Sequence, residues 1–331
     1  MKATLPETIP FAAIEAARER IADAAIRTPL LRLAAADTQE VPASRRADQP
    51  EVWLKLEALQ PVGSFKIRGA RNALAALDPE IRRQGVYTAS AGNMALGLAW
   101  CAKQEGIPCA VVVPDSAPRA KLDKLEQLDA RIVPVPFARW WQVMQEHEYE
   151  KMEGSFIHPV ANVAVMAGNG TIACEIMEEL PSVDTVLIPF GGGGLSCGVA
   201  SGLRGMGNRA RVIGCEVETA TPLTAALGAG QPRQVERTPS FVDGIGGSGV
   251  LPEMWPLVRR LIAESAVVTL AEIRSAIREL LERMHVLAEG AGGSSVAAAR
   301  SGRVKGRVIC CIVSGGNIDS AVVAEILRSA D

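Results

Sequence analysis

Histidine is scarce in this chain. Only His147, His158 and His285 occur in 331 residues, and none stands at ligand spacing from a plausible metal partner, which argues against a zinc enzyme. Long apolar runs are missing too. The longest candidates break at Pro or Gly, well short of the ~18 residues a membrane span needs. Neither sign of charge dominates: the net charge is −2, and Lys and Arg are scattered rather than banded, which excludes a nucleic-acid footprint. The start, Met1-Lys2-Ala3-Thr4-Leu5-Pro6-Glu7, lacks the apolar stretch of a secretory signal, so the expected location is cytoplasmic. The seven cysteines are odd in number and irregularly spaced within apolar text. They read as small buried hydrophobes rather than as a disulfide framework.

Apolar residues, by contrast, are plentiful at 48%, enough for a sizeable core in one large or two intimate domains. Short β-branched runs alternate with helical text. The strand candidates are Val52–Leu56, Val86–Ala89, Ala110–Val113, Arg131–Val135, Thr185–Ile188, Val212–Cys215 and Val308–Val313. Most are apolar throughout, as in strands covered on both faces, and the intervening helical segments make this an α/β chain with a largely parallel sheet. Three of these strands lead into loops of small and polar residues: Ser90-Ala91-Gly92-Asn93, Gly191 to Gly194, and Ser314-Gly315-Gly316-Asn317. Ligands of open parallel sheets bind beyond the carboxyl ends of the strands, so the three loops are expected to form one composite pocket. The segment from Gly228 to Gly249 is rich in Gly, Pro and polar residues and reads as a cover.

Four successive glycines between a strand and a helix let the backbone approach closely and aim amides outward, which suits a phosphate dianion. A Rossmann dinucleotide site competes for this reading, with Glu216 as the ribose acid. It fails because no G-x-G-x-x-G register fits Gly191 to Gly198. Lys66, in Pro61-Val62-Gly63-Ser64-Phe65-Lys66-Ile67-Arg68-Gly69-Ala70, opens a helical stretch. A lysine there opposes the helix dipole, which lowers its pKa and favours a nucleophilic amine. The alternative is a solvated lysine without function. Ser90 to Asn93 fit a carboxylate cradle, and equally a capped helix start.

The chain resembles the fold-type II pyridoxal-phosphate enzymes, and within them the threonine/serine dehydratase and serine racemase group. The resemblance is carried by Lys55 to Ala70, Ser90 to Asn93, Gly168-Asn169-Gly170-Thr171-Ile172, Gly191 to Gly194, Glu289-Gly290-Ala291-Gly292 and Ser314 to Asn317. It implies the tryptophan synthase β-like architecture: two open, twisted, mostly parallel sheets with the active site between domains. Residues 1–84 and 160–331 would form the large cofactor domain, and 85–159 a small domain closing over the substrate. Lys66 would carry pyridoxal 5'-phosphate and act as base at the substrate α-carbon. Phe65 would pack beside the ring, Asn93 would meet its phenolic oxygen, Gly191, Gly192, Gly193 and Gly194 would hold the phosphate, and Ser314 would meet the pyridine nitrogen. Ser90, Ala91, Gly92 and Asn93 would receive the substrate carboxylate.

The implied reaction is β-elimination of a β-hydroxy-α-amino acid to a 2-oxo acid and ammonia. Ala91 stands where racemases of the group have a second serine, which disfavours racemisation. Met94 and Val160 replace polar residues of the group and suggest room for a bulkier substrate such as phenylserine. 3-Hydroxyaspartate dehydration, a racemase-like reaction and β-replacement of the cysteine synthase type are the rivals; an NAD-dependent oxidoreductase or a non-catalytic binder stands further off. Glu216 and Ala220 match a cation site of the group, monovalent or divalent, but Pro222 falls where its Asp belongs, with Glu218 as a substitute. The end at Asp331 leaves no expectation of a C-terminal sensing domain, hence a catabolic role. The expected partners are a small amino acid and a second copy of the chain.

Overall fold

The structure, a computed structural model, describes residues 5–33 and 50–329; Met1–Thr4 and Asp331, on which the expectations about a secretory signal and a sensing domain rest, lie outside these residues. Numbered along the chain, β1 (Leu30–Arg32), β2 (Glu51–Lys55), β10 (Val308–Ile312), β7 (Thr185–Pro189), β8 (Arg211–Val217) and β9 (Glu264–Val268) lie side by side in that order. Among the described residues, only the β1–β2 pair in this sheet is antiparallel. A second, wholly parallel sheet runs β5 (Arg131–Val135), β4 (Cys109–Pro114), β3 (Val86–Ala89), β6 (Ser155–Phe156). Its strands all come from within the segment 85–159.

All seven strands expected from the sequence form. The three not expected, β1, β6 and β9, are edges of their sheets. Edge strands bury less and β1 and β6 are very short, so none shows the continuous apolar run of a central strand. That run has a visible purpose in β10: Cys310 and Ile312 enter the core on one face of the sheet, Ile309 and Cys311 the core on the other. In β4, Val111 and Val113 point one way while Ala110 and Val112 point the other. All seven cysteines are buried and unpaired, in keeping with their reading as small hydrophobes. Among the described residues no helix is long and apolar enough to cross a membrane.

Three helices bring the lysine and the glycine loop together: α2 (Lys66–Ala75), α7 (Val163–Glu179) and α8 (Gly194–Gly205). They touch backbone to backbone. A Cβ at Gly168 would lie 2.3 Å from Arg68 O, and one at Gly198 would lie 2.3 Å from Met166 O. Both approaches require glycine, which accounts for the Gly168 and Gly170 positions and for Gly198.

An internal ionic cluster then locks α2 in place. The Arg68 guanidinium, 1% exposed, donates to both oxygens of Glu57 at 2.8 Å and to Glu175 at 2.6 and 2.9 Å. Lys55 Nζ donates to Glu175 at 2.5 Å and to Thr28 O at 2.6 Å, and Thr28 Oγ1 donates to Glu57 at 2.6 Å. Burial opposes ionisation of Glu57, yet the adjacent guanidinium holds its carboxyl below the ordinary value. The cluster joins β2, α2 and α7, so the start of α2 has little freedom to shift.

Candidate active site

A cavity of roughly 580 Å³ opens between the two sheets, and the loops following β3, β7 and β10 all line it. Ser90 to Asn93, Gly191 to Gly194, Ser314, Phe65 and Lys66 thus share one space. The composite pocket inferred from strand-end loops exists.

Lys66 is the first residue of α2, and its Nζ donates to Pro159 O at 2.9 Å. The ammonium lies 5.2 Å from the Phe65 ring centroid. Burial pushes the Lys66 amine down to about 8, and the charge of Glu289 opposes the shift. Desolvation is therefore the main cause of the lowered basicity, where the sequence suggested the helix dipole. Either way the amine is neutral far more often near neutral pH than a solvated lysine.

Gly193, at φ 92°, N-caps α8, and no side chain caps the helix. The Ser196 hydroxyl in the same first turn is buried without a partner. Uncapped amides at a glycine turn facing a cavity make an anion site. Val160 packs against this turn: a Cβ at Gly192 would come within 2.8 Å of its methyls, and one at Gly194 within 3.1 Å of its carbonyl oxygen.

The lysine segment and the Ser-Gly-Gly turn are joined along their backbones. Phe65 N donates to Ser314 O at 3.0 Å, Gly316 N donates to Gly63 O at 2.9 Å, and Ser64 bridges Gly315. Ser314, 3% exposed, is thereby fixed on the wall next to Lys66. Asn93 opens α4 (Asn93–Gln104), and its Nδ2 donates to Glu289 Oε1 at 2.9 Å and Oε2 at 3.1 Å. Ser90 Oγ accepts from Gly92 N at 3.2 Å, so the hydroxyl shapes the turn. The start of α4 has no side-chain cap, which leaves its amides available to a carboxylate. Met94 is 2% exposed and packs with Ile67 and Leu98, filling the core while also reaching the cavity.

A family model described as pyridoxal-phosphate dependent enzyme matches residues 21–315. The chain belongs to the pyridoxal-phosphate dependent enzymes. It is 40% identical over 281 residues to L-threonine ammonia-lyase of Thermotoga maritima, covering 84% of this chain and 70% of the relative. It is 36% identical over 286 residues to L-threonine dehydratase catabolic TdcB of Escherichia coli, covering 85% and 87%. Among solved structures, maize serine racemase superposes with a TM-score of 0.81 at 29% identity, covering 97% of each chain. The processed form of threonine deaminase isoform 2 from Solanum lycopersicum gives a TM-score of 0.81 at 25% identity, covering 99% of this chain and 94% of that one. The two-sheet α/β architecture is the fold-type II arrangement.

Pyridoxal 5'-phosphate is the cofactor of this family, and the residues present fit it. A buried amine of lowered basicity and an uncapped glycine turn line one cavity, where an aldehyde and a phosphate need partners. The second expected ion site has a different character. Glu216 accepts from Leu223 N at 2.6 Å, Thr224 N at 2.8 Å, Thr224 Oγ1 at 2.7 Å and Ser265 Oγ at 2.7 Å. Its carboxylate caps α9 (Pro222–Ala229), while Glu218 accepts from Leu270 N at the start of α11 (Leu270–Met284). Ala220 donates its N–H to Val217 O at 3.0 Å. As arranged, Glu216 accepts from the start of α9 and Glu218 from the start of α11.

Three residues gain roles that sequence reasoning did not give them. His158 Nδ1 accepts from Val160 N at 3.0 Å and Ala161 N at 2.7 Å, so its proton sits on Nε2, which faces Met144 O at 3.1 Å. That tautomer holds the turn presenting Pro159 O to Lys66. The fold also brings His158 within 4.8 Å of His147 and Glu253, a proximity invisible in sequence spacing. With both His158 nitrogens committed, however, the trio is an interface contact between layers, in which His147 Nε2 lies 3.0 Å from Glu253 Oε1. The other two residues, Glu289 and Asn317, lie within quoted motifs, but only the fold shows their side chains meeting Asn93.

Proposed function

We propose that this enzyme catalyses dehydration and deamination of a β-hydroxy-α-amino acid of the threonine/serine type, giving a 2-oxo acid and ammonia. The observation that carries the reading is that Lys66 and Ala91 line one cavity. The cavity presents one buried amine of lowered basicity, while the position of a racemase's second hydroxyl is a methyl group. Bound pyridoxal phosphate supplies the electron sink that makes the substrate α-proton removable. Lys66 Nζ takes that proton. The amides of Gly191 to Gly194 hold the phosphate, and Asn93 and Ser314 contact the ring. The start of α4 orients the substrate carboxylate. Ser314 offers a neutral hydroxyl to the pyridine nitrogen, which favours prompt loss of the β-hydroxyl over a long-lived carbanion. The threonine ammonia-lyase and dehydratase relatives support the same chemistry.

For the side chain of the substrate, the cavity wall is the guide. Met94 and Val160 are joined by Phe137, Trp140 and Met144, which share one face of α6 (Phe137–Glu146) at i, i+3 and i+7. This wall suits an apolar β-substituent, up to the aryl group of phenylserine. A second reading is favoured by Lys124 and Arg237, which line the same cavity and match the extra carboxylate of 3-hydroxyaspartate.

Release of 2-oxo acid from L-serine, L-threonine, phenylserine and 3-hydroxyaspartate separates these. Phenylserine turnover at least comparable to threonine supports the apolar wall, and a clear preference for serine and threonine sinks it. Preference for 3-hydroxyaspartate, lost in Arg237→Ala, establishes the second reading. A new amino acid formed on adding thiol would show β-replacement instead.

A further inference from the structure

We propose that Glu289 and Asn317 are positioning residues that hold the Asn93 carboxamide in one orientation at the cofactor ring. Together the three form a relay that ties the four-stranded half of the molecule to the six-stranded half. The inference rests on the reading above, in which the cofactor occupies the Lys66 cavity with Asn93 at its ring.

The direction of the relay follows from counting donors. Asn317 Nδ2 donates to Val62 O at 2.8 Å and to Asn93 Oδ1 at 2.9 Å. A backbone carbonyl can only accept, so the amide nitrogen of Asn317 must be at this end of its side chain. Asn93 must then turn its oxygen toward Asn317 and its nitrogen toward Glu289, where it donates at 2.9 and 3.1 Å. An amide held between a committed donor and a carboxylate cannot flip without two unfavourable contacts, and each bond polarises the next.

Two motif glycines are shaped to this relay rather than to the phosphate. A Cβ at Gly63 would stand 2.9 Å from Asn317 Oδ1, and one at Gly315 would stand 2.7 Å from Glu289 Oε1. The lysine segment and the Ser-Gly-Gly turn therefore each reserve space for one member. Those members sit on different layers. Asn93 follows β3 of the smaller sheet, whereas Asn317 follows β10 of the larger one and Glu289 precedes α12 (Gly290–Arg300) beneath it. Charged groups facing Glu289 are Lys66 of α2, Asp243 of the 230–249 loop and Lys121 of α5 (Arg119–Glu126). Lys121 and Asp243 are themselves paired, a second contact between the layers at the cavity.

A mutant cycle on the purified holoenzyme tests the relay, with Asn317→Leu and Glu289→Gln made singly and in an Asn93→Ala background. Glu289→Gln is expected to lower kcat roughly ten- to hundredfold, the scale of a hydrogen bond to a charged group, and Asn317→Leu about three- to tenfold, the scale of a neutral one. The same change after Asn93→Ala should cost less than about twofold, because both residues act through that amide. Glu289→Gln should also move the pH titration of the visible cofactor band to lower pH, since the charge favouring a protonated Lys66 nitrogen is gone. Asn317→Ala removes the amide without adding bulk and carries the same cycle should the leucine variant not fold. Equal losses in both backgrounds overturn the relay; an unmoved titration in Glu289→Gln overturns the placement of its charge beside Lys66. A wild-type protein that shows no visible band after addition of pyridoxal phosphate overturns the cofactor reading as well; a normal band with additive losses overturns the relay alone.

Discussion

Val160 closes over Gly192: a Cβ built on that glycine would stand 2.8 Å from both valine methyls. The glycine turn is thus shaped by a side chain that follows the β6 strand of the other sheet, not by its own glycines alone. Gly192→Ala should therefore push the turn and Val160 apart and weaken pyridoxal phosphate binding about tenfold or more, as overpacking does elsewhere. Val160→Ala in the same chain should restore much of the affinity. At Gly193, with φ 92°, the strain is in the backbone, so Val160→Ala should not rescue Gly193→Ala. Cofactor titrations followed by absorbance measure all four.

The Arg68 cluster sets the start of α2. Arg68→Met leaves Glu57 and Glu175 buried with only Lys55, Thr28 and Gln60 for partners. Breaking a buried pair on one side typically costs about 3–5 kcal/mol. Urea unfolding of the variant should show a loss of that order. An unchanged midpoint would mean that the cluster gives no net stability.

Glu289 should leave a mark on the pH dependence of stability. Burial pushes its carboxyl up to about 7. In the cofactor-free protein, the folded state then binds more protons than the unfolded state between the ordinary carboxylate range and pH 7. Stability on this account is full at low pH and falls as pH rises through that window, by up to about 3 kcal/mol. Glu289→Gln should remove this slope. Lys66 works in the opposite sense at higher pH. Its amine is held down at about 8 in the fold, so between that pH and its ordinary value of 10.5 the unfolded state binds more protons and stability rises. Lys66→Met should flatten that rise.

The Glu216 carboxylate is already met by four donors from α9 and Ser265. Activity and thermal midpoint should therefore be indifferent to chelator, Mg²⁺ and K⁺. Glu216→Ala should instead cost about 1–2 kcal/mol, the loss of a helix cap. A midpoint that climbs with added cation would show that an ion displaces the donors.

Much of the site could be read directly because its signals are local. Lys66, the glycine turn and Ser314 each sit at a strand end or helix start, where hydrophobic runs and backbone chemistry announce themselves within about ten residues. The six central strands were legible for the same reason, and the edge strand β5 through its Ile132-Val133-Pro134-Val135 run. Edge strands β1, β6 and β9 were not, since a short, half-exposed segment carries no distinctive pattern. The motifs also left Glu289, Asn317 and His158 without roles, because a motif position does not say which way its side chain points.

What the sequence by itself determined is the chemistry available: one amine, one glycine turn, one neutral hydroxyl, and a methyl at position 91 where a second acid or base could have stood. Only the tertiary structure decided how those groups are governed. It buried Lys66, so that desolvation lowers its basicity. It gave the Glu216 carboxylate to a helix start, and it set Asn93 between Asn317 and Glu289, 224 and 196 residues away along the chain. Charge, desolvation and hydrogen-bond direction depend on distances through space, and no spacing along the chain encodes them.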